Sequence, residues 1–428
     1  MARVVIVGGG FGGLLAAKTL AGKSGVDVTL IDRRNFHVFQ PLLYQVATGG
    51  LSPADICAPL RSVLRNAKNI RTVLAEVTGF DPDGRRVLLA DGEFPYDHLI
   101  VSAGARHHYF GNESWEQHAP GLKSIEDATE IRRRILTAFE AAERESDPAA
   151  RRALLTFLIV GGGPTGVELA GTLGEIANDT LRGDFRSFRP EEARILLLEG
   201  GPRILNAFPD PLPRAAEESL LKLGVRVRTG AVVERLDADG VTVKIGGAVE
   251  RIESKTVLWA AGVKASPLGK LLGAETDRAG RVVVRETCQL PGRDEVYVIG
   301  DMAAFPVAGG KTLPGVAPVA MQQGRYVAEA ILARRQPEPF RYVNKGDMAT
   351  IGRAAAIADF GSFQLTGFLA WLFWLFVHIL FLIGFRNRMM VMLHWAFQYF
   401  TFNRGARLIA AQGAEPPSAV LRGQSKGE

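Results

Sequence analysis

The feature that most constrains this chain is a glycine-rich segment that occurs twice. The sequence VVIVGGGFGGLLAAKTL at residues 4–20 is matched by FLIVGGGPTGVELAGTL at residues 157–173, and the first glycines lie 153 residues apart. Each copy predicts a short apolar strand, a GxGxxG turn and an Ala/Leu-rich helix, which is the opening of a βαβ dinucleotide-binding fold. We therefore expect two nucleotide-binding modules in one α/β chain.

The spacing assigns a role to each glycine of the motif. The first permits a tight turn, the second lets the backbone approach a pyrophosphate, and the third lets the helix pack closely on the strand. The phosphates then lie at a helix N-terminus, where backbone N–H groups are free to donate. A single copy could be an ordinary glycine turn, but two copies in matching contexts favour nucleotide binding. The predicted cofactor-binding glycines are Gly8, Gly10, Gly13, Gly161, Gly163 and Gly166.

An acidic residue that binds a ribose hydroxyl is expected about 20 residues after the third glycine. In the first copy Asp32 ends the next predicted strand, 19 residues past Gly13. In the second copy Glu199 ends the corresponding strand, but a polar segment stretches the interval from Gly166 to 33 residues. A carboxylate favours NADH because it would repel the 2′-phosphate of NADPH. Arg203 lies close enough in sequence to leave NADPH open.

Three further segments end in residues suited to nucleotide binding. Residues 97–105, DHLIVSAGA, and residues 256–262, TVLWAAG, each predict a strand that runs into a glycine turn. Residues 295–301, EVYVIGD, predict a strand that places a carboxylate at its C-terminal end, where open α/β sheets bind ligands. The residues concerned are Gly104, Gly262, Gly300 and Asp301.

The order of these segments predicts one nucleotide domain interrupted by another. Residues 1–120 and 291–340 form the first domain, residues 121–290 form the second, and residues 341–428 form a C-terminal segment. A length of 428 residues agrees with more than one hydrophobic core. The predicted fold class is α/β, with two Rossmann-like dinucleotide-binding domains and a helical C-terminal segment that attaches to a membrane.

The composition excludes several other classes of protein. The formal net charge of +6 comes from scattered Lys and Arg without a basic block, so no nucleic acid partner is expected. The two cysteines, Cys57 and Cys288, form no CxxC, and the seven histidines show no ligand spacing, so we predict neither a dithiol centre nor a metal site. No signal-peptide pattern opens the sequence, and we expect a protein that is not exported.

The C-terminal segment contains an apolar run, FLAWLFWLFVHILFLIGF, at residues 368–385, interrupted only by His378. As one helix it would be about 27 Å long, which is marginally enough to span a bilayer, so a transmembrane helix is left open. Residues 387–402 predict a second helix, typical of one that lies in a membrane interface. Its narrow polar face consists of Asn387, His394, Gln398 and Thr401.

Charged and aromatic residues also favour membrane attachment. Basic residues outnumber acidic ones in this segment, which suits anionic lipid headgroups. Trp371, Trp374 and Trp395 are natural interfacial residues. A buried helix pair in the core of a homodimer is the alternative. From Thr366 to the end of the sequence, the charged residues are Arg386, Arg388, Arg404, Arg407, Arg422 and Lys426 against Glu415 and Glu428.

The motifs together resemble a known family of flavoproteins. The two glycine segments, LIVSAGA and VIGDMA are similar to flavoproteins with two dinucleotide-binding domains and a glutathione-reductase-like fold. The chain more closely resembles the type II NADH:quinone oxidoreductases, the single-subunit, non-pumping NADH dehydrogenases. This closer resemblance covers almost the full length and rests on FHVFQPLLYQVATGGL (36–51), ICAPLR (56–61), APVAMQQG (317–324), KGDMATIGR (345–353) and the apolar C-terminus.

The resemblance implies that the first module holds FAD non-covalently, with Asp32 and Asp301, and that the second holds NADH, with Glu199. It places Glu168 near the nicotinamide and the flavin, as a group that stabilises charge or relays protons. Independently of the resemblance, Glu168 lies two residues past Gly166 in the first turn of a predicted helix, where the helix dipole would lower the pKa of the carboxyl group. A helix-stabilising role is the alternative for this residue.

A quinone site is implied as well. Gln322 and Gln323 match the family's quinone motif, although Pro318 stands where the family often has glutamine. Lys345 and Ile351 match a segment that lines the quinone entrance. The family is described as monotopic, which implies peripheral attachment to the cytoplasmic face of the cell inner membrane.

The expected reaction is therefore hydride transfer from NADH to FAD, followed by transfer of two electrons to a membrane quinone. The chemistry belongs to the cofactors, and the protein aligns the reacting atoms and excludes water. A sulfide:quinone oxidoreductase is an alternative, but it needs redox cysteines that Cys57 and Cys288 do not convincingly supply. A redox sensor or membrane scaffold that binds NADH without turnover is the alternative outside enzymes.

Overall fold

The structure is a computed structural model and describes residues 1–409. Contacts divide the chain into two compact units. The first unit consists of residues 1–38, 57–107 and 263–345; the second consists of residues 39–56, 108–262 and the described residues 346–409. Each unit contains one of the two glycine motifs, which confirms the predicted α/β class with two Rossmann-like modules. The domain boundaries inferred from the sequence stay a prediction.

The first unit is built on a six-stranded sheet. Its strand Ala2–Val7 lies between Val26–Asp32 and His98–Val101 and pairs with both in parallel. The residues Val4, Val5, Ile6 and Val7 are all buried, as expected for a central strand covered on both faces. In sheet order, the strands are Gln289–Leu290, Arg293–Val298, His98–Val101, Ala2–Val7, Val26–Asp32 and Ile70–Leu74.

Smaller sheets and four helices complete the first unit. The helix Phe11–Leu20 follows the first glycine turn and is called the first motif helix below. The other helices are Leu60–Val63, Leu268–Leu271 and Ala317–Ala333. The remaining strands are Phe36–Val38 with Cys57–Pro59; Val77–Asp81, Arg86–Leu89 and Glu93–Pro95; Ala105–His107 with Val263–Ala265; Val282–Val283 with Ala303–Ala304; and Pro306–Val307 with Lys311–Thr312.

A four-stranded parallel sheet forms the centre of the second unit. All five residues of the strand Thr156–Val160 are buried, and it pairs with Arg194–Leu198 on one side and Thr256–Trp259 on the other. Val225–Arg228 is an edge strand. The strand predicted to end at Glu199 is thereby confirmed. Two antiparallel sheets accompany it: Val232–Asp237, Gly240–Ile245 and Ala248–Glu253; and Asp347–Thr350, Ala356–Asp359 and Gln364–Thr366.

The helices of the second unit include the one that follows the second glycine turn. This second motif helix, Pro164–Glu175, begins with a proline at a position that needs no backbone N–H, and a π-helical turn, Ile176–Thr180, follows it. Ser124 and Asp127 form a capping box at the start of Ile125–Arg144. The other helices are Leu43–Ala47, Pro53–Ile56, Pro148–Leu154, Leu212–Lys222, Gly367–Phe381 and Phe385–Thr401.

The apolar run at residues 368–385 does not form one continuous helix. The helix Gly367–Phe381, called the aromatic helix below, has 15 residues and is therefore only about 22 Å long. Gly384 has a φ of 90°, which breaks the helical path, and the terminal helix, Phe385–Thr401, starts directly after it. Among residues 1–409 no helix has both the length and the apolar character needed to cross a membrane.

Part of the predicted polar face of the terminal helix lies against the protein, whereas Thr401 is exposed. Asn387 is buried, Gln398 donates to the backbone carbonyl of Gly50, and His394 Nδ1 lies 3.4 Å from the carboxylate of Asp55. The apolar Val391 and Trp395 of this helix are buried as well. Other large apolar side chains on both C-terminal helices are exposed. The exposed residues are Phe368, Leu369, Leu372, Phe373, Phe376, Leu380, Phe381, Phe385, Met389, Met392, Leu393, Phe397 and Phe400.

Several residues expected at a membrane surface lie inside the second unit. Trp374 and Trp395 are buried, so the interfacial role inferred for them was wrong. Arg404 is buried too, and its guanidinium group donates to the carboxylate of Glu175 at 2.6 Å, so it does not face lipid headgroups. The predictions for Arg422, Lys426, Glu415 and Glu428 lie outside the described residues.

Candidate active site

The glycine turn of each unit has the conformation that its motif predicts. Gly8 and Gly161 have φ angles of 101° and 109°, which residues with a Cβ atom rarely adopt. A Cβ atom on Gly13 would lie 1.9 Å from the carbonyl oxygen of Gly8, and one on Gly166 would lie 1.9 Å from that of Gly161. Only glycine at the third position therefore lets each motif helix approach its strand so closely.

The second glycine of each motif faces open space. A Cβ atom on Gly10 or on Gly163 would meet no described atom within 4 Å. Each of these glycines is the N-cap of its motif helix and supplies no side-chain acceptor to the first turn. The backbone N–H groups at these two helix starts are therefore suited to an anionic phosphate.

Asp32 and Glu199 occupy equivalent positions in the two units. Asp32 accepts a hydrogen bond from the N–H of Gly9 at 2.6 Å and another at 2.7 Å from the N–H two residues further on. Glu199 accepts from the N–H of Gly162 at 2.6 Å and likewise from the N–H two residues further on, at 2.6 Å. The longer interval in the second copy leaves this geometry unchanged. Each carboxylate oxygen keeps further acceptor capacity for a ribose hydroxyl.

In each unit the glycine turn and its acid form a cradle for a nucleotide, and a further strand ends beside it. This strand is His98–Val101 in the first unit and Thr256–Trp259 in the second. A Cβ atom on Gly8 would lie 2.5 Å from the carbonyl oxygen of Ser102, and one on Gly161 would lie 2.7 Å from that of Ala260. The glycines that follow these strands also have positive φ angles, 69° for Gly104 and 74° for Gly262. The predicted strand–glycine segments therefore lie beside the glycine turn of their own unit.

Gly300 and Asp301 follow the strand Arg293–Val298 in the first unit, as predicted. Gly300 has a φ of 67°, and its N–H donates to Gln323 Oε1 at 2.7 Å. Gln323 is fully buried, and its Nε2 atom has no hydrogen-bond partner among the described residues. A buried donor is therefore available beside the Gly–Asp turn for a ligand atom that accepts.

Glu168 lies in the second unit, and its protonation differs from the expectation. It is the fifth residue of the second motif helix rather than part of its first turn. Burial raises the pKa of Glu168 to about 8, although a hydrogen bond from the backbone N–H of Thr350 acts in the opposite direction. The prediction that the helix dipole lowers this pKa was therefore wrong, because desolvation is the larger effect.

The four predicted quinone residues lie in different surroundings. Both polar atoms of the Gln322 side chain pair with the backbone of Val343, at 2.9 and 3.0 Å. Gln323 keeps the unpartnered donor described above. Lys345 is exposed, whereas Ile351 is buried. Their roles at a quinone stay predictions, and Gln323 is the one with a buried polar atom that has no hydrogen-bond partner among the described residues.

Comparison with known proteins assigns the chain to a family. The profile of the pyridine nucleotide-disulphide oxidoreductases matches residues 2–324, and that of the NDH2 C-terminal domain matches residues 344–404. The type II NADH:quinone oxidoreductase Ndh of Mycobacterium tuberculosis is 48% identical, over 96% of this chain and 91% of its own length. The chain belongs to the type II NADH:quinone oxidoreductases. As a member of this family it is an FAD-dependent enzyme with NADH as its substrate, so the predicted family, fold and cofactors are confirmed.

Solved structures agree with this fold. The structure of NDH2 from Plasmodium falciparum in complex with NADH has a TM-score of 0.86 at 20% identity and covers 95% of this chain and 99% of that one. A sulfide:quinone oxidoreductase from Aquifex aeolicus has a TM-score of 0.75 at 18% identity, over 94% of this chain and 95% of that one. At these identities the likeness concerns the fold alone. For a sulfide reaction, Cys288 is unsuitable because burial raises the pKa of its thiol and keeps it protonated.

The residues of the two cradles fit the nucleotides that a type II oxidoreductase requires. In the first unit, the open side of Gly10 and the carboxylate of Asp32 offer partners for a phosphate and a ribose of FAD. In the second unit, the open side of Gly163 offers a partner for a phosphate of NADH, and the carboxylate of Glu199 offers one for a ribose. The donor chemistry of each cradle therefore agrees with its nucleotide.

The sequence did not reveal a set of polar residues near Glu168. Tyr44 and Gln45 lie within the segment that resembles the family, yet nothing in their local pattern indicated a role. Glu175 pairs with Arg404, which is 229 residues away in sequence. Local periodicity carries no signal for partners at this distance, so only the structure identifies them.

Proposed function

We propose that this oxidoreductase binds FAD in the cradle of the first unit and NADH in that of the second, and transfers electrons to a quinone at a membrane surface. The repeated geometry of Asp32 and Glu199, each bound to the second residue of its GGG turn, is the observation that carries this proposal. When bound, FAD accepts a hydride from NADH and passes two electrons to the quinone. The protein holds the nucleotides by backbone N–H groups and carboxylates.

Glu168 holds a proton for this reaction. With a pKa of about 8, its carboxyl group is mostly protonated at neutral pH. A protonated carboxyl can donate a hydrogen bond or a proton, whereas an ionised one can do neither. Since reduction of a quinone to a quinol consumes two protons, we assign Glu168 to charge stabilisation or proton delivery at that step.

On the quinone side, Gln323 supplies a buried N–H donor, and Lys345 lies at the surface of the first unit. Gln322 fixes the backbone at Val343 through two hydrogen bonds, which supports a positioning role for it. Ile351 is buried between Thr350 and Gly352 in the second unit. We therefore expect Ile351 to support the positions of Thr350 and Gly352 by packing rather than to contact the quinone.

Membrane attachment is the second part of the proposal. The aromatic helix and the terminal helix expose many Phe, Leu and Met side chains, a pattern suited to one leaflet of a bilayer. Because NADH is a cytoplasmic reductant, we place the enzyme on the cytoplasmic face of the cell inner membrane as a peripheral, monotopic protein. A second copy of the chain covering the same helices, as in a homodimer, is the competing arrangement.

Turnover on vesicles tests the proposed function. Purified holoenzyme with phospholipid vesicles should oxidise NADH and form quinol from ubiquinone-1, and should release FAD when denatured. Because no proton pumping is expected, a pH-sensitive dye inside the vesicles should report no change during turnover. NADH oxidation that required sulfide, or that left ubiquinone-1 unreduced, would contradict the proposal. A dimer in detergent that did not bind vesicles would favour the homodimer over the membrane surface.

A further inference from the structure

A cavity lies within the second unit, between the second motif helix and the two C-terminal helices. It is open on one side: the empty space, counted with the solvent at its mouth, is about 660 Å³, and the centre of a water-sized sphere can occupy about 80 Å³ of it. Thr350, whose backbone N–H donates to Glu168, is part of its wall. Aromatic rings dominate the lining: Tyr44, Trp371, Trp374, Trp395, Tyr399 and Phe402.

The aromatic lining continues into the exposed apolar surface. Trp371 stacks on Phe368 with ring centroids 5.7 Å apart, and Tyr399 contacts Phe400 edge-on at 5.5 Å. Phe368 and Phe400 are both exposed. An apolar molecule at the surface of the C-terminal helices could therefore reach the cavity along a continuous path of rings.

The charged residues of the cavity balance each other. Glu175 and Asp179 contribute two carboxylates, and Arg353 and Arg404 contribute two guanidinium groups. Glu175 accepts hydrogen bonds from the Arg404 side chain and from the backbone N–H of Arg353. The formal charge of the lining is thus zero, which favours a neutral ligand over an anionic lipid or a fatty acid.

One row of hydrogen bonds fixes the direction of a donor at the cavity wall. The indole Nε1–H of Trp395 donates to Gln45 Oε1 at 2.6 Å, and Gln45 Nε2 donates to the hydroxyl oxygen of Tyr44 at 2.8 Å. An indole can only donate, so it determines which end of the Gln45 amide is the oxygen. Gln45 must then donate to Tyr44, which leaves the O–H of Tyr44 to donate to another group.

Tyr44 also keeps its proton. Burial raises the pKa of its phenol well above the ordinary value, and the charge that Glu168 carries once it is deprotonated, above about pH 8, raises it further. The hydroxyl is therefore neutral over the whole physiological range. A neutral phenol whose oxygen already accepts from Gln45 is a directed donor. Its natural partner is a hydrogen-bond acceptor on a neutral, largely apolar ligand.

We propose that this cavity receives the quinone headgroup, and that Tyr44 donates a hydrogen bond to one of its carbonyl oxygens. Gln45 and Trp395 act as positioning residues, because they set the direction of that donor. The proposal rests on the proposed NADH:quinone activity and adds Tyr44, Gln45 and Trp395 to the residues assigned to the quinone. It also gives the terminal helix, which carries Trp395, a direct part in substrate binding.

Quinone kinetics of Tyr44→Phe test this assignment. The change removes the hydroxyl and keeps the ring, so the KM for ubiquinone-1 should rise about threefold to tenfold, as for the loss of one neutral hydrogen bond. The rate with NADH and ferricyanide, which takes electrons from reduced flavin, should stay within twofold of wild type. Trp395→Phe should raise the same KM less, since the Gln45 amide could then turn.

A matched control removes a hydroxyl with a similar partner elsewhere. Tyr297 lies in the first unit, is buried, and accepts from Gln289 Nε2 at 3.4 Å. Tyr297→Phe should leave the KM for ubiquinone-1 at the wild-type value. A KM that rose equally in Tyr297→Phe and Tyr44→Phe would overturn the proposal, because a general loss of packing would then explain both.

Direct binding provides a second measurement that does not depend on turnover. Three of the five tryptophans in the chain line the cavity, so ubiquinone-1 should quench the intrinsic fluorescence of the oxidised holoenzyme. Tyr44→Phe should raise the Kd from this titration by the same factor as it raises the KM. If the wild-type enzyme reduces ubiquinone-1 but both Tyr44→Phe and Trp395→Phe leave KM and Kd unchanged, the cavity assignment is wrong and the proposed function stands. A wild-type enzyme that fails to reduce ubiquinone-1 contradicts the proposed function instead.

Discussion

At the scale of single residues, Glu168 shows how burial can reverse a local electrostatic effect. Near a helix N-terminus a carboxylate is usually stabilised, which lowers its pKa. Here desolvation dominates and raises the pKa of Glu168 to about 8. The folded protein therefore binds more protons than the unfolded chain between the ordinary pKa of 4.5 and about 8. Across that interval this group costs stability as the pH rises.

The same shift predicts a pH dependence for quinone reduction. The rate of flavin reoxidation by ubiquinone-1 should fall as the pH rises through about 8, because Glu168 then loses its proton. Glu168→Gln should slow this step by about 100-fold or more and abolish the pH dependence. Stopped-flow traces over a range of pH measure both effects. Wild-type rates and an unchanged pH profile in the variant would show that Glu168 has no role.

Glu199 predicts the choice between NADH and NADPH. Its carboxylate is held by two backbone N–H groups, while Arg203 is already paired with Asp210 at 3.2 Å. Glu199→Gln removes the charge that repels a 2′-phosphate, so the kcat/KM ratio of NADH over NADPH should fall about tenfold. Steady-state kinetics with both nucleotides measure this ratio. Asp32→Asn is the matched control and should lower FAD retention without changing the preference between nucleotides.

Residues of the two cradles could be predicted from the sequence because their partners are close along the chain. Gly13 packs against the carbonyl group of Gly8, and Asp32 accepts a hydrogen bond from Gly9, all within one βαβ unit. The row from Trp395 to Gln45 and Tyr44 could not be predicted, since Trp395 and Gln45 are 350 residues apart in sequence. No pattern in either segment indicates which side chain it will meet.

At the scale of elements, the C-terminal helices show where a compositional argument fails. The apolar run predicted one long helix, but Gly384 divides the segment into two shorter helices. Periodicity correctly grouped Asn387 and Gln398 on one face of the terminal helix. It could not show that these two side chains lie against the protein while most of the large apolar side chains of the helix are exposed.

Binding to lipid tests the role of this exposed face. Phe376 and Phe397 are 64% and 56% exposed, and burying one phenylalanine in lipid contributes about 1.5–3 kcal/mol. The double variant Phe376→Asp/Phe397→Asp should therefore bind anionic phospholipid vesicles at least about 100-fold more weakly than the wild type. Vesicle flotation measures this change. Leu221→Asp is the control, because Leu221 is 68% exposed on another helix; equal loss in both proteins would argue against a specific membrane face.

At the scale of the whole molecule, one βαβ design is used twice with the same internal contacts. In both units the first glycine has a positive φ, the third glycine meets its carbonyl, and an acid binds the second residue of the turn. This duplication was visible in the sequence and predicts one nucleotide for each unit. The quinone and membrane parts depend on distant contacts, so the sequence indicated them mainly through family resemblance.

A single turnover followed in the stopped-flow instrument tests the central claim most directly. Anaerobic mixing of the holoenzyme with one equivalent of NADH should reduce the bound flavin, and a second mixing with ubiquinone-1 should reoxidise it. Both steps should be at least as fast as steady-state turnover. Flavin that stayed oxidised with NADH, or reduced flavin that ubiquinone-1 did not reoxidise, would contradict the account.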